Sequence, residues 1–239
     1  MNNRQLLMKG LEELGSSLDL NLHHENWNRY IETLEIFREL NLLPTAKILD
    51  IGCGVGYLTL AIHQLGYCIC GVDNDIQVSF TLNSKGVDVY PCNIERDPLP
   101  FKPRTFDCAI FAEVLEHINP REVLRVFNKI QIMLKDGGIL LITTPNQGSL
   151  QNIFRLLLGK RIIFAPDHVR EYVMEEVEEF MIRTDFKILI KKFTTWFDRP
   201  IKRWGMKTFI FRYILYPLKF LIPNLRSSFI IVAIKEENQ

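Results

Sequence analysis

The chain has 239 residues, of which 47% are hydrophobic and 24% charged, with a formal net charge of +1. That length is enough for one large core, and the near balance of charge leaves no overall basic excess of the kind that drives nucleic-acid binding. Met1-Asn2-Asn3-Arg4 opens no long apolar run, so no secretory signal is expected.

Apolar residues recur at helical spacing through the first 43 residues, with a break near Gly15-Ser16-Ser17 and a stop at Pro44. Strands and helices then alternate. Strand Lys47–Ile51 runs into a glycine-rich turn and a helix over Tyr57–Leu65. Strand Cys68–Val72, helix Ile76–Ser84 and strand Val87–Cys92 follow. Next come strand Phe106–Phe111 and a helix from Glu122 to Leu134. Gly137-Gly138 marks a turn into strand Ile139–Thr143, which Pro145 stops. Helix Glu175–Arg183 and strands Phe186–Phe193 and Phe229–Ile234 complete the order. Such alternation predicts an α/β fold with a mostly parallel sheet covered on both faces.

Cysteines stand at 53, 68, 70, 92 and 108, mostly in strand-like runs. They are expected to be reduced and buried, as in a cytoplasmic protein. Cys68 and Cys70 would share one strand face, and no second Cys/His pair at metal spacing accompanies them.

Ile48-Leu49-Asp50-Ile51-Gly52-Cys53-Gly54-Val55-Gly56 is the most informative stretch. Glycines after a buried parallel strand let the backbone turn sharply and let a ligand approach main-chain atoms. About twenty residues on, Asp73 ends the second strand, where an acid accepts hydrogen bonds from both ribose hydroxyls of a nucleoside. The dinucleotide fingerprint needs its third glycine two residues after the second. Here Gly56 comes one residue early, which disfavours NAD.

Leu49–Gly56, Val72-Asp73, Cys92-Asn93-Ile94-Glu95 with Leu99-Pro100-Phe101, and Phe106–His117 resemble, in order and spacing, the successive motifs of class I S-adenosylmethionine-dependent methyltransferases. The resemblance runs from about residue 25 to 195. It implies a Rossmann-like seven-stranded, mostly parallel sheet between helices, with an antiparallel last strand. One domain is expected, made of a helical cap (1–46), the core (47–198), an insert (199–226) and a last strand with tail (227–239). The resemblance also implies that Gly52, Gly54 and Gly56 lie along S-adenosylmethionine, with Asp50 near its amino group and Asp73 on its ribose. Asn93 and Ile94 would meet the adenine, Asn93 accepting from the amino group through its carbonyl oxygen. Ala112 would line the same site, and Arg29 would meet the cofactor carboxylate.

Glu113-Val114-Leu115-Glu116-His117 carries the chemistry. On a helical turn, residues i, i+3 and i+4 share a face, and two carboxylates with an imidazole form a hard-ligand cluster for Mg²⁺ or Mn²⁺. The segment resembles the Glu-x-x-Glu-His motif of the ubiquinone-biosynthesis O-methyltransferases and of the small-RNA 3′-terminal 2′-O-methyltransferases. Both groups have a later histidine, which His168 supplies here. The metal set implied is Glu113, Glu116, His117 and His168, and the catalytic set His117, His168 and Glu116. Without a metal, His117 or His168 would be the general base, and Glu113 and Glu116 would be supporting or surface groups.

Between Arg199 and Arg226 stand seven Lys or Arg and no acid, interleaved with aromatic and aliphatic residues. This insert suits an interfacial segment on anionic lipid, or a lid over a greasy substrate. A helical cap on the core and a dimer contact fit the same pattern. Phe154–Phe164, also apolar and basic, would extend that surface. The expected reaction is O-methylation of a small or lipid-linked acceptor at a cytoplasmic or membrane-peripheral location. An RNA 2′-O-methyltransferase, an N- or C-methyltransferase and a non-catalytic interaction module are the alternatives.

Overall fold

The computed structural model describes residues 2, 3, 5, 6, 9, 27–162, 165–194 and 221–237. The Gly15–Ser17 break and nearly all of the basic insert, residues 199–220, lie outside the described residues. Helix α1 (Trp27–Glu39) leads into a seven-stranded sheet. The chain runs β1 (Lys47–Ile51), α2 (Tyr57–Gln64), β2 (Cys68–Asp73), α3 (Ile76–Asn83), β3 (Val89–Pro91) and β4 (Phe106–Ala112). A short 3₁₀ turn, Leu115–His117, precedes α4 (Val123–Met133), β5 (Leu134–Pro145) and α5 (Leu150–Leu157). Helix α6 (Met174–Ile182), β6 (Phe186–Thr194), a 3₁₀ turn at Pro223–Leu225 and β7 (Ser228–Lys235) complete it.

The strand order is β3-β2-β1-β4-β5-β7-β6. Strands β1 to β5 pair in parallel. Strand β7 runs antiparallel between β5 and β6. The order reverses between β1 and β4, and in open α/β sheets a crevice opens there beyond the carboxyl ends of the strands.

Alternation along the central strands sends successive side chains to opposite faces. Leu49, Ala109 and Phe111 pack on one side with Phe127 and Ile130 of α4 and Val177 and Met181 of α6. Ile48, Cys108 and Ile110 pack on the other with Leu34 and Phe37 of α1 and Leu60 and Ile62 of α2. Both faces are therefore dry, and β1 and β4 read as near-continuous apolar runs.

Four local expectations need correction. Strand β3 is shorter than Val87–Cys92 because it is the sheet edge and pairs only with β2, over Gly71–Asp73. The Gly137-Gly138 pair does not precede β5 but lies inside it: Phe106 pairs with Leu134 and Cys108 already with Ile139, so residues 135–138 bulge out, with Gly137 at φ 72°. Helix α5 begins before the Phe154–Phe164 stretch read only as apolar and basic and runs into it, and the Ser149 Oγ accepts from the Asn152 N–H to start it. All five cysteines are free, but Cys68 is exposed at the first position of β2, where the pleat has not yet entered the core. Among the described residues no helix is long and apolar enough to cross a membrane.

Candidate active site

The turn after β1 is held by main-chain bonds to its neighbour. The Gly52 N–H donates to the Val72 carbonyl at 2.8 Å, and the Gly56 N–H to that of Cys53 at 2.9 Å. Gly52, Gly54 and Gly56 all have positive φ, which other residues rarely adopt. A Cβ at Gly52 would stand 2.4 Å from Val114 Cγ2, so only hydrogen leaves the crevice open there. Gly56 lines neither cavity described below. Its φ of 84° starts α2, and a Cβ would strike Leu82 at 2.3 Å, so it has a part in shaping the turn.

Two cavities share Gly52 and Glu113 as a common wall. The larger, about 310 Å³, is lined by Asp73, Asn93, Ile94, Val114 and His117 among others. The smaller, about 140 Å³, is lined by Arg29, Tyr30, Asp50, Gly54, Ala112 and Thr143 among others. Asp73 Oδ2 accepts from the Gly54 N–H at 2.8 Å, and Oδ1 from the Asp75 N–H at 2.9 Å. Each oxygen keeps a second lone pair for a hydroxyl. The Asn93 carbonyl oxygen, which the sequence assigns to an adenine amino group, already accepts from the N–H groups of Glu95 and Arg96 at 3.0 and 3.2 Å. Its lone pairs are spent on the turn. Lys129 of α4 fixes the same loop, with Nζ donating to the carbonyls of Ile94 and Asp97 at 2.6 and 2.7 Å.

In the smaller cavity, Asp50 is buried and accepts from the Thr59 hydroxyl at 2.6 Å. Burial pushes its carboxyl up to about 6, with the Thr59 bond opposing. The free protein should gain stability from Asp50 as pH falls from 6 toward 4, since the folded carboxyl binds its proton before the unfolded one. With the S-adenosylhomocysteine ammonium expected on the Asp50 carboxylate, affinity for that ligand should move the other way. It is expected to be flat above pH 6 and to weaken by up to about tenfold per pH unit below it. Titration calorimetry across pH 4.5–8 checks this, and Asp50→Asn should abolish the dependence that wild type shows. Equal pH profiles for the two proteins would refute the assignment.

Glu113–His117 does not run as a helical turn. Glu113 takes φ 58°, and only Leu115–His117 turns, as 3₁₀. The Glu113 carboxylate stays near enough to Glu116, His117 and His168 to interact with them electrostatically, but its own bonds go elsewhere. It accepts from the Thr143 hydroxyl at 2.9 Å and pairs with Arg29 at 3.4 Å. Glu116 is buried and accepts from the Thr144 hydroxyl at 2.9 Å. Its backbone carbonyl takes the N–H groups of Val169 and Arg170. His117 Nδ1 meets the Asp167 carbonyl at 3.1 Å. These bonds dock the 167–170 loop on the turn, so His117 and His168 stand perpendicular with ring centroids 5.0 Å apart. One ligand-capable atom from each of Glu116, His117 and His168 falls within 4.8 Å of the others. Burial raises both glutamates, Glu116 well above its usual range with the Glu113 charge adding to the effect, while Arg29 opposes the rise at Glu113.

A family model described as a methyltransferase domain matches residues 22–190. The chain belongs to the class I S-adenosylmethionine-dependent methyltransferases. The cofactor fits the crevice that the methyltransferase presents: a glycine whose Cβ would fill it, a carboxylate with lone pairs to spare, and a second cavity holding an acid and an arginine. The methyltransferase is 31% identical over 129 residues to the mitochondrial ubiquinone biosynthesis O-methyltransferase of Rattus norvegicus, which is 50% of this chain and 36% of that protein. With the protein so described from Schizosaccharomyces pombe it shares 30% over 153 residues, 59% of this chain and 53% of that one. The match thus spans between about a third and a half of these relatives. A solved methyltransferase from Archaeoglobus fulgidus superposes with a TM-score of 0.64 at 18% identity, covering 87% of this chain and 94% of that one, which shows the shared fold.

Thr143, Thr144 and Glu171 escaped the sequence reading although they hold Glu113, Glu116 and His168. The threonines end β5 at the carboxyl edge of the sheet, a position that was itself a signal.

Proposed function

We propose that this methyltransferase methylates a hydroxyl of a small or lipid-linked acceptor, with Glu116, His117 and His168 as the acceptor-activating group. The convergence of a buried carboxylate with two imidazoles, one of them lining the larger cavity, carries the reading. The ubiquinone O-methyltransferases among its relatives support an oxygen acceptor with an apolar tail. When bound, S-adenosylmethionine supplies a methyl made electrophilic by its sulfonium, and the protein's work is alignment and proton removal. Asp50 anchors the amino-acid end of the cofactor and Asp73 its ribose, and Gly52 leaves the space between them uncovered. Burial and the Glu113 charge raise the Glu116 carboxyl well above the usual glutamate range, which favours its taking a proton.

The same three side chains fit a divalent cation. With Glu113 committed to Thr143 and Arg29, the donors are one carboxylate and two imidazoles, which suit Mn²⁺ or Zn²⁺ better than Mg²⁺. A bound cation would lower the pKa of the acceptor hydroxyl.

A lipid-linked acceptor is further supported by α5. Ile153, Leu156, Leu157 and Leu158 are exposed beside Arg155, Lys160 and Arg161, with no acid between residues 150 and 162. That is the composition of a peripheral contact with anionic lipid. The test is methyl transfer to phenolic and catecholic acceptors, free and prenylated, with anionic liposomes and with EDTA followed by Mn²⁺. Transfer to a hydroxyl, lost at least tenfold to EDTA and restored by Mn²⁺, is expected. Transfer indifferent to EDTA removes the cation, and absence of transfer to every hydroxyl acceptor removes the O-methylation reading.

A further inference from the structure

His168 does not stand alone behind the cluster. Its Nδ1 lies 3.0 Å from Glu171 Oε1, and both side chains are almost wholly enclosed, at 8% and 2% exposure. The other oxygen of Glu171 accepts from Asn152 Nδ2 at 2.9 Å. Asn152 is buried on α5, and the same Nδ2 reaches the Asn146 carbonyl at 3.3 Å, just beyond β5. The Asn146 side chain in turn donates to the carbonyls of Asn224 and Arg226 at 2.8 Å. A line of buried polar groups therefore runs from the residues that precede β7, through the end of β5 and α5, to one imidazole of the cluster.

We propose that Glu171, braced by Asn152, is the positioning residue of His168. A carboxylate is acceptor-only, so Nδ1 must carry the proton toward it, and the bare nitrogen left to face Glu116 and His117 is Nε2. In water the neutral histidine ring turns freely and prefers the proton on Nε2, the opposite of the form this bond selects. Here orientation and proton site are both fixed by a bond whose acceptor is itself held in place from the other side. Glu171 lines neither of the two cavities, and its part is to hold the ring. Helix α5 thereby has a task besides its exposed apolar face: its buried face supplies the brace.

This inference rests on the reading of His168 as part of the acceptor-activating cluster, but its test does not. The full-length protein labelled with ¹⁵N is examined by long-range ¹H–¹⁵N correlation of the histidine rings, with His168 assigned by its loss in His168→Asn. Wild type should show His168 protonated at Nδ1 and bare at Nε2. Glu171→Ala should lose that single tautomer, and Glu171→Gln, which keeps an acceptor oxygen of the same shape, should restore most of it. Mn²⁺ alone, titrated by calorimetry, should bind about 10- to 100-fold more weakly to Glu171→Ala. S-adenosylhomocysteine affinity should stay within twofold in both variants, which reports that the fold is intact. An unchanged His168 tautomer in Glu171→Ala, or an equal loss of S-adenosylhomocysteine binding in Glu171→Gln, overturns the proposal. Wild type that binds no Mn²⁺ but shows the Nδ1–H tautomer sinks the cation reading and leaves Glu171 supported.

Discussion

Replacing Asp73 by alanine is expected to weaken S-adenosylhomocysteine binding by at least about 100-fold. Each carboxylate oxygen already takes one main-chain N–H, from Gly54 and from Asp75, and has a lone pair left toward the larger cavity. Two hydroxyls held there by a charged acceptor are worth about 1.5–3 kcal/mol each, and about 1.4 kcal/mol is a factor of ten. Alanine removes both and also strands the Gly54 N–H, so the glycine turn loses an anchor together with the ligand. Asparagine keeps one acceptor oxygen and should fall between the two. Calorimetric titration of the three proteins decides the matter. A Kd for Asp73→Ala within threefold of wild type would place the nucleoside elsewhere.

Glu116→Gln should lower kcat by about 10²–10⁴ and leave S-adenosylhomocysteine affinity within twofold. Glutamine fits the same space and its oxygen can still accept from the Thr144 hydroxyl, so the docking of the 167–170 loop through the Glu116 main-chain carbonyl is untouched. The variant loses the ability to take a proton. Stability should move in the opposite direction. Because the folded carboxyl has its pKa raised, ionising it costs the native state stability as pH rises through that value. The amide has no such cost, so the Tm of the variant should exceed that of wild type at pH 8 and converge with it toward pH 4. A slower and more stable protein is the signature of a buried charge kept for chemistry. If activity survives with the Tm gain, Glu116 is a passive buried acid and proton removal lies with the histidines.

Strands β1, β2 and β4 were legible because both of their faces are buried, and two dry faces leave a plain apolar record in the sequence. The cofactor crevice was legible for a related reason: glycines at 52 and 54 and an acid at 73 answer demands of backbone geometry and hydroxyl chemistry that few residues meet. Glu113 was not. Its spacing to Glu116 and His117 fits one face of a helix, yet a single left-handed φ sends its carboxylate to Thr143 and Arg29. No periodicity reports one unusual dihedral. Asn93 shows the same limit on side-chain chemistry, since its residue type fits an adenine while its oxygen is taken up by its own loop. Helix α5 was hidden because its exposed face is apolar, which inverts the pattern used to recognise a helix on a core.

Strand β7 lies between β5 and β6, and Ser228 pairs at once with Thr194 of β6 and Pro145 of β5. The two feet of the stretch 195–227 are therefore neighbours in the sheet, planted one and two strands away from the threonines that hold Glu113 and Glu116. Closing a loop on fixed feet grows in cost only with the logarithm of its length, about 0.6 kcal/mol per doubling. Rewriting or lengthening that stretch in a descendant leaves the six registers of the sheet as they are. That stretch and the sheet can thus drift at different rates within one polypeptide.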